Sequence, residues 1–106
     1  MVECNIGLTG DELQKLISVL SSQKNIEKAI IYGSRAKGTN RKFSDVDLTL
    51  VGSNLTHRDL NVVALSVDDL LLPYEFDISL YSALKNKKLL EHIDRVGKVI
   101  YTNHNS

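Results

Sequence analysis

Cysteine occurs once in the 106 residues, as Cys4, so no internal disulfide can form and a reducing, cytoplasmic setting is expected. No apolar run approaches the roughly 18 residues of a membrane span, and the N-terminus lacks a charged-then-apolar leader pattern, so no membrane is expected. Neither charge dominates. The 13 Lys and Arg are matched by 13 Asp and Glu, which removes the general field that an extended nucleic acid would need. There is no repeat, no low-complexity tract and no composition shift, and residues 1–106 read as a single domain. Proline is also used once, as Pro73, where it can stop a helix.

What is present is an ordinary apolar content of 42%, arranged with clear periods. Thr9 with Glu12 forms a capping-box pattern, and Leu13, Leu16, Ile17 and Leu20 follow at helical spacing, which predicts a helix over about residues 10–22. Ile26 to Tyr32 is a β-rich run ended by Gly33. Residues 34–37 hold about one helical turn, 39–43 form a basic surface loop, and 44–51 make a second strand. Thr56 and Asp59 begin a second long helix that carries Leu60, Val63, Ala64, Val67, Leu70 and Leu71 up to Pro73. Glu75 to Tyr81 alternates as a third strand, Asn86 caps a last helix ended by Gly97, and Val99 to Tyr101 add a short fourth strand. This order predicts an α+β fold, a small mixed sheet of three or four strands with helices packed mainly on one face.

The chemistry concentrates in residues 33–48, GSRAKGTNRKFSDVDL. Gly33 ends a strand and opens a short helix, where backbone N–H groups can cradle an anion; Ser34 adds a hydroxyl donor. Arg35, Lys37, Arg41 and Lys42 surround it with positive charge. Neither a Walker loop nor the dinucleotide G-x-G-x-x-G is present. Residues i and i+2 of a strand share a face, so Asp45, Asp47 and Thr49 point one way and Val46, Leu48 and Leu50 the other. Glu75, Asp77, Ser79 and Tyr81 repeat the pattern on the third strand. If these strands are neighbours, Asp77 joins the Asp45/Asp47 pair, and three carboxylates so placed repel by roughly 1–4 kcal/mol per pair unless a divalent cation sits among them. A bare Asp-x-Asp is commonly only a solvated sheet face, and a Gly-Ser turn only a strand end. A phosphate cradle and an acid cluster 11 positions apart, Ser34 to Asp45, point together to phosphoryl or nucleotidyl transfer.

Gly33, Ser34, Ala36, Gly38, Ser44, Asp45, Asp47 and Leu48 reproduce G-S-x-A-x-G-x(5)-S-D-x-D-L with every spacing kept, and Asp77 stands where a third aspartate is expected. The chain thereby resembles the DNA-polymerase-β-like nucleotidyltransferases, and more narrowly the minimal nucleotidyltransferase (MNT) proteins. The EHIDRVGKVIY stretch is similar to the usual MNT ending. The resemblance implies that Gly33 and Ser34 hold the triphosphate of ATP or another NTP, with Arg35 and Ser44 as helpers. It implies that Asp45, Asp47 and Asp77 bind Mg²⁺, two ions with Mn²⁺ as a substitute, and that Asp77 helps draw the acceptor proton.

The same resemblance implies that the acceptor belongs to a partner. MNT proteins are similar to the antitoxin half of modules whose other half is a HEPN-domain ribonuclease, and the implied reaction is adenylylation of a toxin tyrosine. Two other readings stay open on the residues: a non-catalytic module that neutralises its partner by docking, and a transferase for a small molecule or RNA end. Homo- or hetero-association through a sheet edge or a helix is expected. His57, His92 and His104 lack ligand spacing and are assigned to the surface, Cys4 is assigned no reactivity, and the four tyrosines are expected at strand ends with exposed hydroxyls.

Overall fold

The computed structural model of the chain describes residues 8–32, 46–72 and 74–103. Helix α1 spans Gly10–Ser21, β1 Lys28–Tyr32, β2 Val46–Val51, α2 His57–Asp68, β3 Phe76–Leu80, α3 Lys87–Val96 and β4 Lys98–Thr102, with a 3-10 turn at Tyr81–Ala83 after β3. The four strands form one mixed sheet in the order β3-β2-β1-β4. β1 runs antiparallel to both β2 and β4, whereas β2 and β3 are parallel and are joined through α2, the crossover that a parallel pair requires.

Local chemistry sets where each helix starts. Thr9 accepts from the Glu12 N–H at 3.1 Å while the Thr9 N–H donates to Glu12 Oε1 at 2.9 Å, so two otherwise orphaned amides are satisfied reciprocally. Thr56 and Asp59 repeat the arrangement at α2, and Asn86 Oδ1 accepts from the Lys88 and Leu89 amides at α3. Helix ends depart more from expectation. α2 stops at Asp68, five positions before Pro73, because the chain turns through Asp69 and Leu70 into a left-handed Leu71 with φ 56°. Pro73 itself lies outside the described residues. Gly97 caps α3 in extended backbone rather than in the left-handed region. Its need for glycine is space: a Cβ there would overlap the Ile93 carbonyl oxygen and stand 2.6 Å from Ile30 Cγ2.

The sheet separates two apolar clusters. Val46, Leu48 and Leu50 of β2 and Ala29 and Ile31 of β1 meet Leu16 and Leu20 of α1 and Val63 and Val67 of α2 on one face. On the other, Ile30 and Tyr32 pack beneath Ile93 of α3, with Tyr81, Leu84 and Leu89 around them. Of the three described helices, two therefore cover the main core and the third lies opposite, in accord with the expected one-sided bias.

Leu48 is fully buried at the centre of β2. Leu48→Ala removes its packing and leaves a void, so urea unfolding should show a loss of about 2–5 kcal/mol. Acid sensitivity comes from the loop ends. Glu27 accepts from the Ser53 amide and hydroxyl, and Asp59 from Asn25 and the Thr56 amide, and these bonds hold both carboxyls below their ordinary values of 4.5 and 3.8. Their contribution is complete above those values and is lost as pH falls through the lowered ones. Glu27→Gln/Asp59→Asn should therefore flatten the decline in melting temperature below about pH 4 and leave a shallower acid limb than the parent protein.

Candidate active site

The pairing of β1, β2 and β3 brings three residues into one row. Tyr32 is opposite Asp47, and Asp47 is in register with Asp77. Neighbouring strands lie about 4.8 Å apart, and residues in register project to the same face, so the two carboxylates emerge side by side at the β2/β3 junction. Of the three acids expected to converge, Asp45, Asp47 and Asp77, the structure places the last two at neighbouring positions. Asp47 is half-buried and Asp77 exposed, and both stand on the face opposite the Leu48 core. Asp45 precedes β2 and, with Gly33, Ser34, Arg35 and Ser44, lies outside the described residues.

Behind the carboxylates the face closes. In the next row Ile30 is opposite Thr49 and Thr49 is in register with Ser79. Thr49 is fully buried and its hydroxyl donates to the Ser79 carbonyl at 3.3 Å. The Ser79 hydroxyl is buried beside the Tyr32 phenol and makes a well-formed hydrogen bond with no described group. Tyr32 is 8% exposed, so the strand-end tyrosine expected to show its hydroxyl is instead buried under α3. Its ring meets His92 edge-on, with centroids 6.5 Å apart and an interplanar angle of 79°. Burial pushes the Tyr32 phenol up, the adjacent Ser79 hydroxyl opposes this, and the negative fields of Asp47 and Asp77 add to the rise. A neutral phenol therefore forms the floor of an acidic, oxygen-rich corner.

Tyr32 is the residue that reading by motif missed. It immediately precedes Gly33, but only the β1/β2 register, which depends on the intervening loop, aligns it with Asp47. Tyr81 was expected to share the face of Asp77 on β3; it lies in the 3-10 turn after that strand and packs against Ile30, Tyr32 and Ile93. Its hydroxyl, however, donates to Asp94 at 3.1 Å on α3.

The donor set suits a hard divalent cation, since Asp47 and Asp77 present paired carboxylate oxygens on an open face. Among the described residues no group of three or more His, Cys, Asp or Glu gathers, at this pair or elsewhere. The family described as "Polymerase beta, Nucleotidyltransferase" matches residues 14–106. The chain belongs to this nucleotidyltransferase family. No curated protein matches its sequence. Among solved structures, a chain of a toxin–antitoxin complex with AMP-PNP aligns with a TM-score of 0.70 at 18% identity, over 87% of this chain and 74% of that one. A chain of the tri-AMPylated Shewanella oneidensis HEPN toxin in complex with MNT antitoxin gives 0.64 at 15% identity, over 87% and 71%. A chain of an MntA–HepT toxin–antitoxin complex gives 0.65 at 14%, over 90% and 74%. At these identities the likeness is one of fold.

Like charges brought together repel, and a cation bound between them would reverse that sign. Asp77→Asn should leave the melting temperature in chelator unchanged or slightly raised. It should also abolish the upward shift that Mn²⁺ with a non-hydrolysable ATP analogue gives the parent protein, as read by calorimetric melting.

Proposed function

We propose that this nucleotidyltransferase is a Mg²⁺-dependent adenylyltransferase that moves AMP from ATP to a tyrosine hydroxyl of a HEPN-family partner and acts as its antitoxin. The observation that carries this reading is the in-register placement of Asp47 and Asp77 on the open face of the sheet. The neighbouring folds support the donor and acceptor classes, because one belongs to a complex with AMP-PNP and another to a complex whose HEPN toxin is tri-AMPylated.

In the proposed reaction the acceptor oxygen attacks the α-phosphorus of ATP. The bond from that phosphorus to the bridging oxygen breaks and pyrophosphate leaves. The acceptor proton passes to the Asp77 carboxylate, which is exposed and so reachable by a second protein. Gly33 and Ser34 hold the triphosphate through backbone amides and a hydroxyl, with Arg35 and Ser44 beside them. Asp45, Asp47 and Asp77 would hold the metal, one or two Mg²⁺ ions, whose charge stabilises the phosphate oxygens. The buried Tyr32 keeps the floor beneath Asp47 neutral and dry.

The test is transfer from α-labelled ATP, with Mg²⁺, to a HEPN-family protein offered as the partner. Label should appear on the partner and fall roughly 10²–10⁴-fold with Asp77→Asn. An unlabelled partner would contradict the transferase reading. Full neutralisation of the partner by an Asp47→Asn/Asp77→Asn variant would instead show that docking alone suffices.

A further inference from the structure

The sheet has two edges, and they differ. β4 opens with an exposed Lys98 and its pairing with β1 is broken by a register shift between Ala29 and Ile30, two devices that discourage strand addition. β3, at the other edge, contains neither lysine nor proline and pairs regularly with β2 over all five residues. Alongside it runs an open groove of about 500 Å³ between β3 and the second half of α2, floored by Phe76 and Ile78 and walled by Ala64, Leu65 and Leu72. Leu65 is 69% exposed, and Leu71, just past the helix, is 88% exposed. Asp68 and Glu75 line the groove as well.

Among the described residues that run from α2 through β3, the charge after Arg58 has one sign. Between Arg58 and Lys85 there is no lysine or arginine, while Asp59, Asp68, Asp69, Glu75 and Asp77 all fall in that stretch. In a chain of zero net charge this is a local concentration, and it complements a cationic partner.

The geometry points to β3 as a docking rail for an extended segment of the acceptor protein, with alternate apolar residues seated in the α2 groove and Lys or Arg flanking them. This rests on the transferase reading above and extends it to how the acceptor is delivered. A strand added to β3 obeys the same alternation as the sheet: one set of side chains enters the groove beside Phe76 and Ile78 and the other projects over the carboxylate face. The residue opposite Asp77 then has its Cβ about 4.5–5.5 Å from that of Asp77, within reach for a hydroxyl-bearing side chain to hand over its proton. Five residues of β3, about 17 Å of extended chain, give a short and reversible contact.

A displayed library of random ten-residue segments, selected against the full chain and counter-selected with Leu65→Lys/Asp68→Lys, tests this. Both substituted residues are exposed and lie away from the carboxylates, so the variant should melt with the parent and bind Mn²⁺ with the ATP analogue equally well. Enriched segments should alternate apolar residues with Lys or Arg, and their affinity should fall about tenfold or more on the variant. A tyrosine walked along the polar side of one such segment should accept label from ATP at a single register position. Enrichment that ignores the variant would overturn the proposal, as would enriched sequences of helical period. So would a homodimer, seen by sedimentation, that the variant dissolves and that no segment displaces. Groove-dependent binding with no transfer at any position would uphold the docking rail and remove the transferase reading.

Discussion

The parallel, in-register pairing of β2 with β3 is the constraint on which the rest of the molecule depends. Two aspartates 30 positions apart in sequence, Asp47 and Asp77, become neighbours only because Val46, Leu48 and Leu50 on one strand and Phe76 and Ile78 on the other must face the same core. A slip of one residue would send the carboxylates into the apolar layer and the leucines into water. The cost of such a slip, several buried aliphatic side chains at about 1.5–3 kcal/mol each, far exceeds the repulsion between two partly solvated acids. Hydrophobic register thus imposes a like-charged pair, which a bound cation would relieve.

The two sides of the sheet divide the labour. α1 and α2 bury one face and supply most of the core. α3 covers part of the other, over Ile30 and Tyr32, and leaves the carboxylate end open. Thr49, Ser79 and Tyr32 form a transition between dry cluster and wet site, polar atoms held in a largely buried row. The packing that sets the register therefore lies away from the carboxylate end of the sheet.

Much of this was legible in the sequence, for identifiable reasons. Strand alternation around Leu48 and Ile78 gave the faces, and the Thr9/Glu12 and Thr56/Asp59 pairs marked two helix starts by side-chain chemistry that acts over three residues. The convergence of Asp47 and Asp77 followed from alternation once the strands were taken as neighbours. What was hidden depends on tertiary packing. Leu71 adopts a left-handed backbone that no local signal requires, so α2 ends early. Tyr32 is buried because α3 folds back over β1, a contact between residues some 60 positions apart. Gly97 is small because Ile30 approaches it, which a capping rule does not anticipate. Gly33, Ser34, Arg35, Ser44 and Asp45, the most specific part of the motif, lie outside the described residues and stay where the sequence places them.

Paramagnetic broadening by Mn²⁺ tests the central claim most directly. With a non-hydrolysable ATP analogue present, substoichiometric Mn²⁺ should erase the amide NMR signals of residues 46–48 and 76–78 together while those of α1, on the far side of the core, stay sharp. Broadening that follows β4 or α1 instead, or that spares either carboxylate strand, would contradict the paired-aspartate site.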